Sequence, residues 1–237
     1  MFKRKSVYAI VLAGGGGSRF GGDMPKQFHM LGDAPVFMHS TRKFDTMGII
    51  DGIVLVVPPQ YFDHCQNLAA QYGLAKISAV VFGGDSRQKS TYNGLCALDA
   101  YGDSIVLVHD AARPFVCEAD AAALVDAANA HGAAVLALPV TDTIKLADGA
   151  HLAAKTIDRE NLYAAKTPQA ALLACLMAAH RAALQSDFTA TDDCQLLENI
   201  GIYPKIVISN IPNIKITTAR DLDFAAFLLE RGVVHGF

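Results

Sequence analysis

Five short apolar runs, most of them closed by glycine or proline and set apart by stretches with helical spacing, predict an α/β protein built on a mostly parallel sheet in three layers. The run 52–57 lacks the apolar–polar alternation of a half-exposed sheet, as a strand buried on both faces does. A third observation is where the polar chemistry falls. Residues 14–19, 83–90, 109–113 and 139–143 each follow or close an apolar run, and open α/β sheets bind ligands beyond the carboxyl ends of their strands.

The first run, 7–13, breaks into Gly14-Gly15-Gly16-Gly17-Ser18-Arg19-Phe20, and after two more glycines the chain continues Pro25-Lys26-Gln27-Phe28. Glycines let backbone N–H groups turn toward an anion where a Cβ would clash. Arg19 and Lys26 add fixed positive charge suited to polyphosphate. The two common phosphate loops are excluded: no Gly-Lys-Ser/Thr closes the run, and the nearest match to Gly-x-Gly-x-x-Gly has Arg19 in its last position. Residues 34–44 have helical spacing, 52–57 form an apolar strand bounded by Pro58 and Pro59, and 60–72 read as a helix closed by Gly73. The strand 77–82 ends in Gly83-Gly84-Asp85, a second ligand loop leading to Ser90 and a helix over 90–100, suited to a base edge or a ribose. Strand 105–108 delivers His109, Asp110 and Arg113. There Asp110 holds a hydroxyl or metal and Arg113 a phosphate, or the two close the strand end as an ion pair. A helix over 118–130 and a strand over 133–139 complete the regular part.

From 140 to 169 the rhythm changes. Strand-like pieces at 143–146 and 152–157 flank Asp148-Gly149, a hairpin signal, with no long helix to cover them. Such a segment either folds onto its own domain or projects as an arm that needs a partner, and the second reading implies a homodimer. Helices are expected at 170–184 and 191–200, strands at 203–208 and 214–216, and a last helix opened by Thr218 and Asp221 as a capping box. Lys215, between Ile214 and Ile216, points away from both, into solvent or into a site. Thr143, Thr167, Thr191, Thr217 and Arg159 are donors that serve equally as cap or turn residues. The chain reads as a single domain, 1–237, with an arm at about 140–169.

Composition narrows the function classes. Of 237 residues, 52% are hydrophobic and 18% charged, which describes a globular chain with a large core. A net charge of -3 gives no basic footprint for nucleic acid. No run approaches the roughly eighteen apolar residues of a membrane helix, and the start of the chain is unlike a signal peptide, so a cytoplasmic protein is expected. Cys65, Cys96, Cys117, Cys175 and Cys194 are odd in number and widely spaced, as reduced packing residues are. No His and Cys spacing suits a metal and no Ser-His-Asp arrangement is visible, which argues against zinc and hydrolase chemistry.

Together the motifs resemble the 2-C-methyl-D-erythritol 4-phosphate cytidylyltransferases of the non-mevalonate isoprenoid pathway. The matching pieces are the glycine loop with Pro25-Lys-Gln-Phe, Gly83-Gly-Asp with Arg87 and Ser90, Val108-His-Asp-Ala-Ala-Arg-Pro, Pro139-Val-Thr-Asp-Thr, Asp158-Arg, Thr167-Pro-Gln, Thr191-Asp-Asp and Asn213-Ile-Lys-Ile-Thr. They cover nearly the whole chain in the right order. The resemblance implies a Rossmann-like nucleotidyltransferase fold, mostly parallel, with a projecting β-arm exchanged between the subunits of a homodimer. It implies catalytic roles for Arg19, Lys26 and Lys215, and a CTP site at Gly14, Gly15, Gly84, Asp85 and Ser90. It also implies a polyol phosphate site at Asp110, Arg113, Thr143, Arg159, Thr167, Thr191 and Thr217, with Thr143 and Arg159 reaching across the dimer. Three positions depart from the pattern: Gly14 replaces a more usual alanine, Phe20 a methionine and Lys166 a glutamine. The glycine loop and Pro-Lys-Gln-Phe also resemble the sister D-ribitol-5-phosphate cytidylyltransferases. Methylerythritol phosphate is the expected acceptor and ribitol phosphate the alternative, Ala112 favouring the first because the ribitol enzymes often have valine there.

The implied reaction joins a phosphate oxygen of the polyol phosphate to the α-phosphorus of CTP and expels pyrophosphate. Mg²⁺ bridging the CTP phosphates is the implied cofactor, with no carboxylate cluster dedicated to it. Two further readings are a regulatory module that binds CTP without turnover, against which the retained cations argue, and a sugar-1-phosphate nucleotidyltransferase, against which Asn213-Ile-Lys-Ile-Thr argues.

Overall fold

The structure, a computed structural model, describes residues 4–15, 20, 24–209 and 213–232. In chain order its elements are β1 (Ser6–Leu12), β2 (Met30–Leu31), β3 (Ala34–Pro35), α1 (Val36–Thr46), β4 (Gly52–Val57), α2 (Phe62–Gln71), β5 (Ile77–Phe82), α3 (Arg87–Cys96) and β6 (Ser104–Asp110). There follow α4 (Glu118–His131), β7 (Ala133–Pro139), β8 (Ile144–Ala147), β9 (Ala153–Ile157), β10 (Tyr163–Leu172), α5 (Leu173–Ser186), α6 (Asp193–Asn199), β11 (Lys205–Ile208) and α7 (Ala219–Glu230). A seven-stranded sheet has the order β11-β7-β10-β6-β1-β4-β5. Every strand in it runs parallel except β10, which is antiparallel to both β6 and β7.

The apolar runs explain the layers. Every residue of β4 and β6 is buried, as unbroken apolar strands under helices on both faces must be. Alternate residues of β1 split between two cores: Val7, Ala9 and Val11 pack with Phe37 and Phe44 of α1 and Leu124 of α4. Tyr8 and Ile10 pack with Leu95 of α3, Leu176 of α5 and Leu196 of α6. A third cluster ties Leu31 and Val36 to Ile216 and to Ala225 and Leu228 of α7, fixing the segment that carries Lys215. The capping box of α7 forms as expected, with Thr218 and Asp221 bonding each other's backbone.

Three elements differ from expectation. The helix expected to start at 170 starts at Leu173, because residues 163–172 form β10 in the middle of the sheet. Strand β10 holds Ala170 and Ala171, whose high helix propensity is overridden by burial between β6 and β7, and Ala164 and Ala165, which are exposed and pair with β7 alone. Residues 214–216 are not a strand: Ile216 N–H bonds the Ala112 carbonyl and the segment crosses the end of β6 without joining the sheet. Helix α3 begins at Arg87 and not at 90, since the Ser86 side chain caps it by accepting from Lys89 N–H. The hairpin β8–β9 forms its own two-stranded sheet, with β8 and β9 largely exposed, so the stretch outside the main sheet ends before Tyr163.

Candidate active site

The carboxyl ends of β1, β5 and β6 meet around a cavity of about 330 Å³, large enough for a small ligand. Gly14 and Gly15 form one wall and Gly84 and Asp85 another, with Lys26, Asp110 and Lys215 completing the rim. Ser90 braces the two glycine loops. Its Oγ accepts from Gly84 N–H at 3.0 Å and donates to the Ser86 carbonyl at 2.8 Å. The loops approach so closely that a Cβ on Gly83 would lie 3.2 Å from that oxygen and 3.4 Å from Gly14 Cα. Gln27, buried, ties the glycine loop to the turn behind it by donating from Nε2 to the carbonyls of Ala13 at 2.6 Å and Gly15 at 2.8 Å.

Charge is arranged as a chain. Lys215 Nζ reaches one Asp110 oxygen at 2.5 Å and Arg87 Nε the other at 3.0 Å. Arg87 Nη1 also binds Asp193 at 2.7 Å, and Asp193 receives His180 Nε2 at 3.2 Å, both of these last two being 1% exposed. Burial by itself would raise the Asp110 carboxyl, but the charges and hydrogen bonds of Arg87 and Lys215 hold it well below the usual range. Burial disfavours the Arg87 cation, and Asp193 with Asp110 more than offsets it, so Arg87 stays charged.

His109 is fully buried at the end of β6. Burial lowers its pKa to about 4, Nε2 accompanies the Arg113 carbonyl at 2.9 Å, and the ring meets Phe44 edge-on. Thr167 lies behind the site, its Oγ1 accepting from Asp110 N–H at 3.0 Å. Arg113 Nη1 donates to the Asn213 carbonyl at 2.8 Å.

Of the residues expected at the site, Gly14, Gly15, Lys26, Gly84, Asp85, Ser90, Asp110 and Lys215 line the cavity, and Arg113 and Thr167 stand behind it, each bonded to the Asp110 backbone. Arg19 lies outside the described residues. Thr143 and Arg159 do not line the cavity within this chain: both are exposed, and Arg159 donates to the Thr141 carbonyl. Thr191 Oγ1 donates to Gln195 Oε1 and Thr217 Oγ1 to Asp221 Oδ2, so both hydroxyls are engaged beside the starts of α6 and α7, whose caps are Asp192 and Thr218. Sequence reasoning gave no role to Gln27, Asp193 or His180. Gln27 and Asp193 sit inside quoted motifs, whereas His180, in the middle of α5, carries no local signal.

Backbone amides, fixed cations and a carboxylate at the switch side of an open α/β sheet define the class of nucleotide-handling transferases. Residues 7–231 match the family model of 2-C-methyl-D-erythritol 4-phosphate cytidylyltransferase, and the chain belongs to that family. A Geobacillus kaustophilus protein of that name is 45% identical over 93% of this chain and 96% of its own. One from Pelotomaculum thermopropionicum is 42% identical over 94% of each. The solved 4-diphosphocytidyl-2C-methyl-D-erythritol synthase of Anaerococcus prevotii superposes with a TM-score of 0.84 at 30% identity, covering 95% of this chain and 96% of its own.

Proposed function

We propose that the chain transfers CMP from CTP to 2-C-methyl-D-erythritol 4-phosphate, releasing pyrophosphate. The observation that carries this reading is the meeting of two glycine walls with Lys26 and Lys215 beside Asp110 in one cavity, in a chain of this family. The cytidine triphosphate lies along the glycine walls, and the acceptor enters on the side of Asp110, Arg113 and Thr167. The acceptor phosphate, whose second ionisation lies near pH 6, arrives already anionic, so no general base is needed. Its oxygen bonds the α-phosphorus as the bond to the pyrophosphate oxygen breaks. Lys215 leaves Asp110 for the α-phosphate, Arg87 remaining as the carboxylate's counter-charge, and Lys26 with Arg19 holds the departing oxygens.

Mg²⁺ fits this site as a counter-ion carried by the triphosphate. Before Lys215 moves, both Asp110 oxygens are engaged by cations, and Asp85 is the other lining carboxylate, the one that would approach a metal. When bound, the ion would supply counter-charge to the phosphate oxygens. The chain works as a homodimer in which the β8–β9 arm brings Thr143 and Arg159 to the partner's site. Leu146 and Leu152 on that arm are 55% and 66% exposed, which supports the pairing. The protein is cytoplasmic, in keeping with its five free cysteines. Among the described residues no helix is long and apolar enough to cross a membrane.

Pyrophosphate release from CTP and Mg²⁺, with methylerythritol phosphate and ribitol phosphate offered in parallel, tests the reading. Preference for methylerythritol phosphate supports it. Preference for ribitol phosphate, or release with neither, overturns it.

A further inference from the structure

We propose that Lys166 binds the phosphate of the acceptor, forming with Arg113 a two-cation subsite for a phosphate monoester against residues 213–215, a role that rests on the transfer reaction proposed above. Lys166 Nζ and Arg113 Nη1 converge on one acceptor, the Asn213 carbonyl, at 3.4 and 2.8 Å. Sharing that oxygen holds two positive charges close together. Neither makes an ion pair among the described residues, and Asp110, whose charge acts on Arg113, is already bonded to Arg87 and Lys215. Arg113 Nε and Asn213 Oδ1 are both buried with no hydrogen-bond partner among the described residues. Burial pushes both cations down, and the Arg113 charge pushes Lys166 down further.

Two half-buried like charges lose hydration and repel each other, a cost that an entering anion removes. The backbone holds them in place without that anion. The register of β10 against β7 breaks between Ala165 and Gln169, and Asn213 Nδ2 anchors the broken stretch by donating to the Thr167 carbonyl at 2.8 Å. Lys166 thus stands next to Thr167 on one side and near the segment of Lys215 on the other. A guanidinium fork beside an ammonium suits a phosphate monoester dianion, which offers several oxygens at once. Neither Lys166 nor Arg113 lines the glycine-walled cavity, which separates this pair from the nucleotide walls.

The test is steady-state kinetics of Lys166→Gln and Lys166→Arg beside the unaltered chain. Loss of one charge-assisted bond predicts a rise of about tenfold to a hundredfold in the acceptor KM of Lys166→Gln, with the KM for CTP unchanged and most of the loss restored in Lys166→Arg. The acceptor KM of the unaltered chain should also climb more steeply with salt than that of Lys166→Gln. Lysine acylation mapped by mass spectrometry on the unaltered chain needs no folded variant. Lys166 should be labelled with a non-reactive CTP analogue alone and protected when methylerythritol phosphate is added. An unchanged acceptor KM, a change confined to CTP, or labelling indifferent to the acceptor overturns the role while leaving turnover by the unaltered chain standing. Absence of turnover in that chain defeats the parent reading instead.

Discussion

Asp110 is bonded by two cations of different standing. Arg87 is fixed from behind by buried Asp193, whereas Lys215 is 36% exposed and sits on a segment without regular structure. The first is built to stay and the second to move. Lys215→Ala should therefore lower kcat by about a hundredfold to a thousandfold, the range for losing one preorganised electrostatic contact, with the melting temperature nearly unchanged. Near-normal turnover would remove Lys215 from the chemistry. Asp193→Asn acts in the opposite way. It leaves Arg87 without one buried counter-ion, and a loss of about 3 kcal/mol in urea unfolding is expected. A stability within error of the parent chain would show that the Asp193 bond adds nothing to the fold.

At the scale of elements, the site depends on how loops are tied to strands. Gly14 and Gly15 after β1 have no side chains with which to hold themselves, and Gln27 holds this stretch through the backbone carbonyls of Ala13 and Gly15. In Gln27→Leu those carbonyls lose their donor in a buried place, at about 1–3 kcal/mol for each group left unsatisfied. The loop would then sample more conformations, so the KM for CTP should rise at least fivefold while the KM for the acceptor changes less. Equal changes in both constants would show that Gln27 supports the whole site and not the nucleotide wall.

For the whole molecule, acid is the condition to test. His109 is buried as the neutral ring, with a pKa of about 4 in the fold against an ordinary 6.5. Between those values the unfolded chain binds more protons than the folded one, so stability is complete above pH 6.5 and declines as pH falls toward 4. The span corresponds to about 3 kcal/mol, and His39, also lowered by burial, contributes with the same sign. A denaturation midpoint that stays constant from pH 7 to pH 4 would contradict the neutral His109. Assembly is the second property at this scale. Tyr163, Tyr203, Ile206 and Ile208 are exposed around the β11 edge of the sheet, in addition to the arm leucines. Sedimentation should give a dimer, and deletion of residues 143–158 should give a monomer with greatly reduced turnover. A monomeric parent chain with full activity would exclude arm exchange.

The parallel strands were legible because unbroken apolar runs between helical stretches mark them: 52–57, buried on both faces, and 77–82, the half-exposed edge strand, are both found with the bounds their residues suggest. The glycine loops were legible because glycines clustered after a strand mark backbone turned toward an anion, and Lys26 and Lys215 because their neighbours form recognisable motifs. Strand β10 was not legible, since its alanines favour a helix and only the vacant place between β6 and β7 makes them a strand. The partners of Asp110, the buried link from His180 through Asp193 to Arg87, and the meeting of Lys166 with Arg113 join residues far apart in the chain. The amino-acid sequence by itself determined the layers, the strand-end loops and the chemical types at the site. Tertiary structure decided which charges face each other, because that depends on distances between segments whose local patterns carry no record of one another.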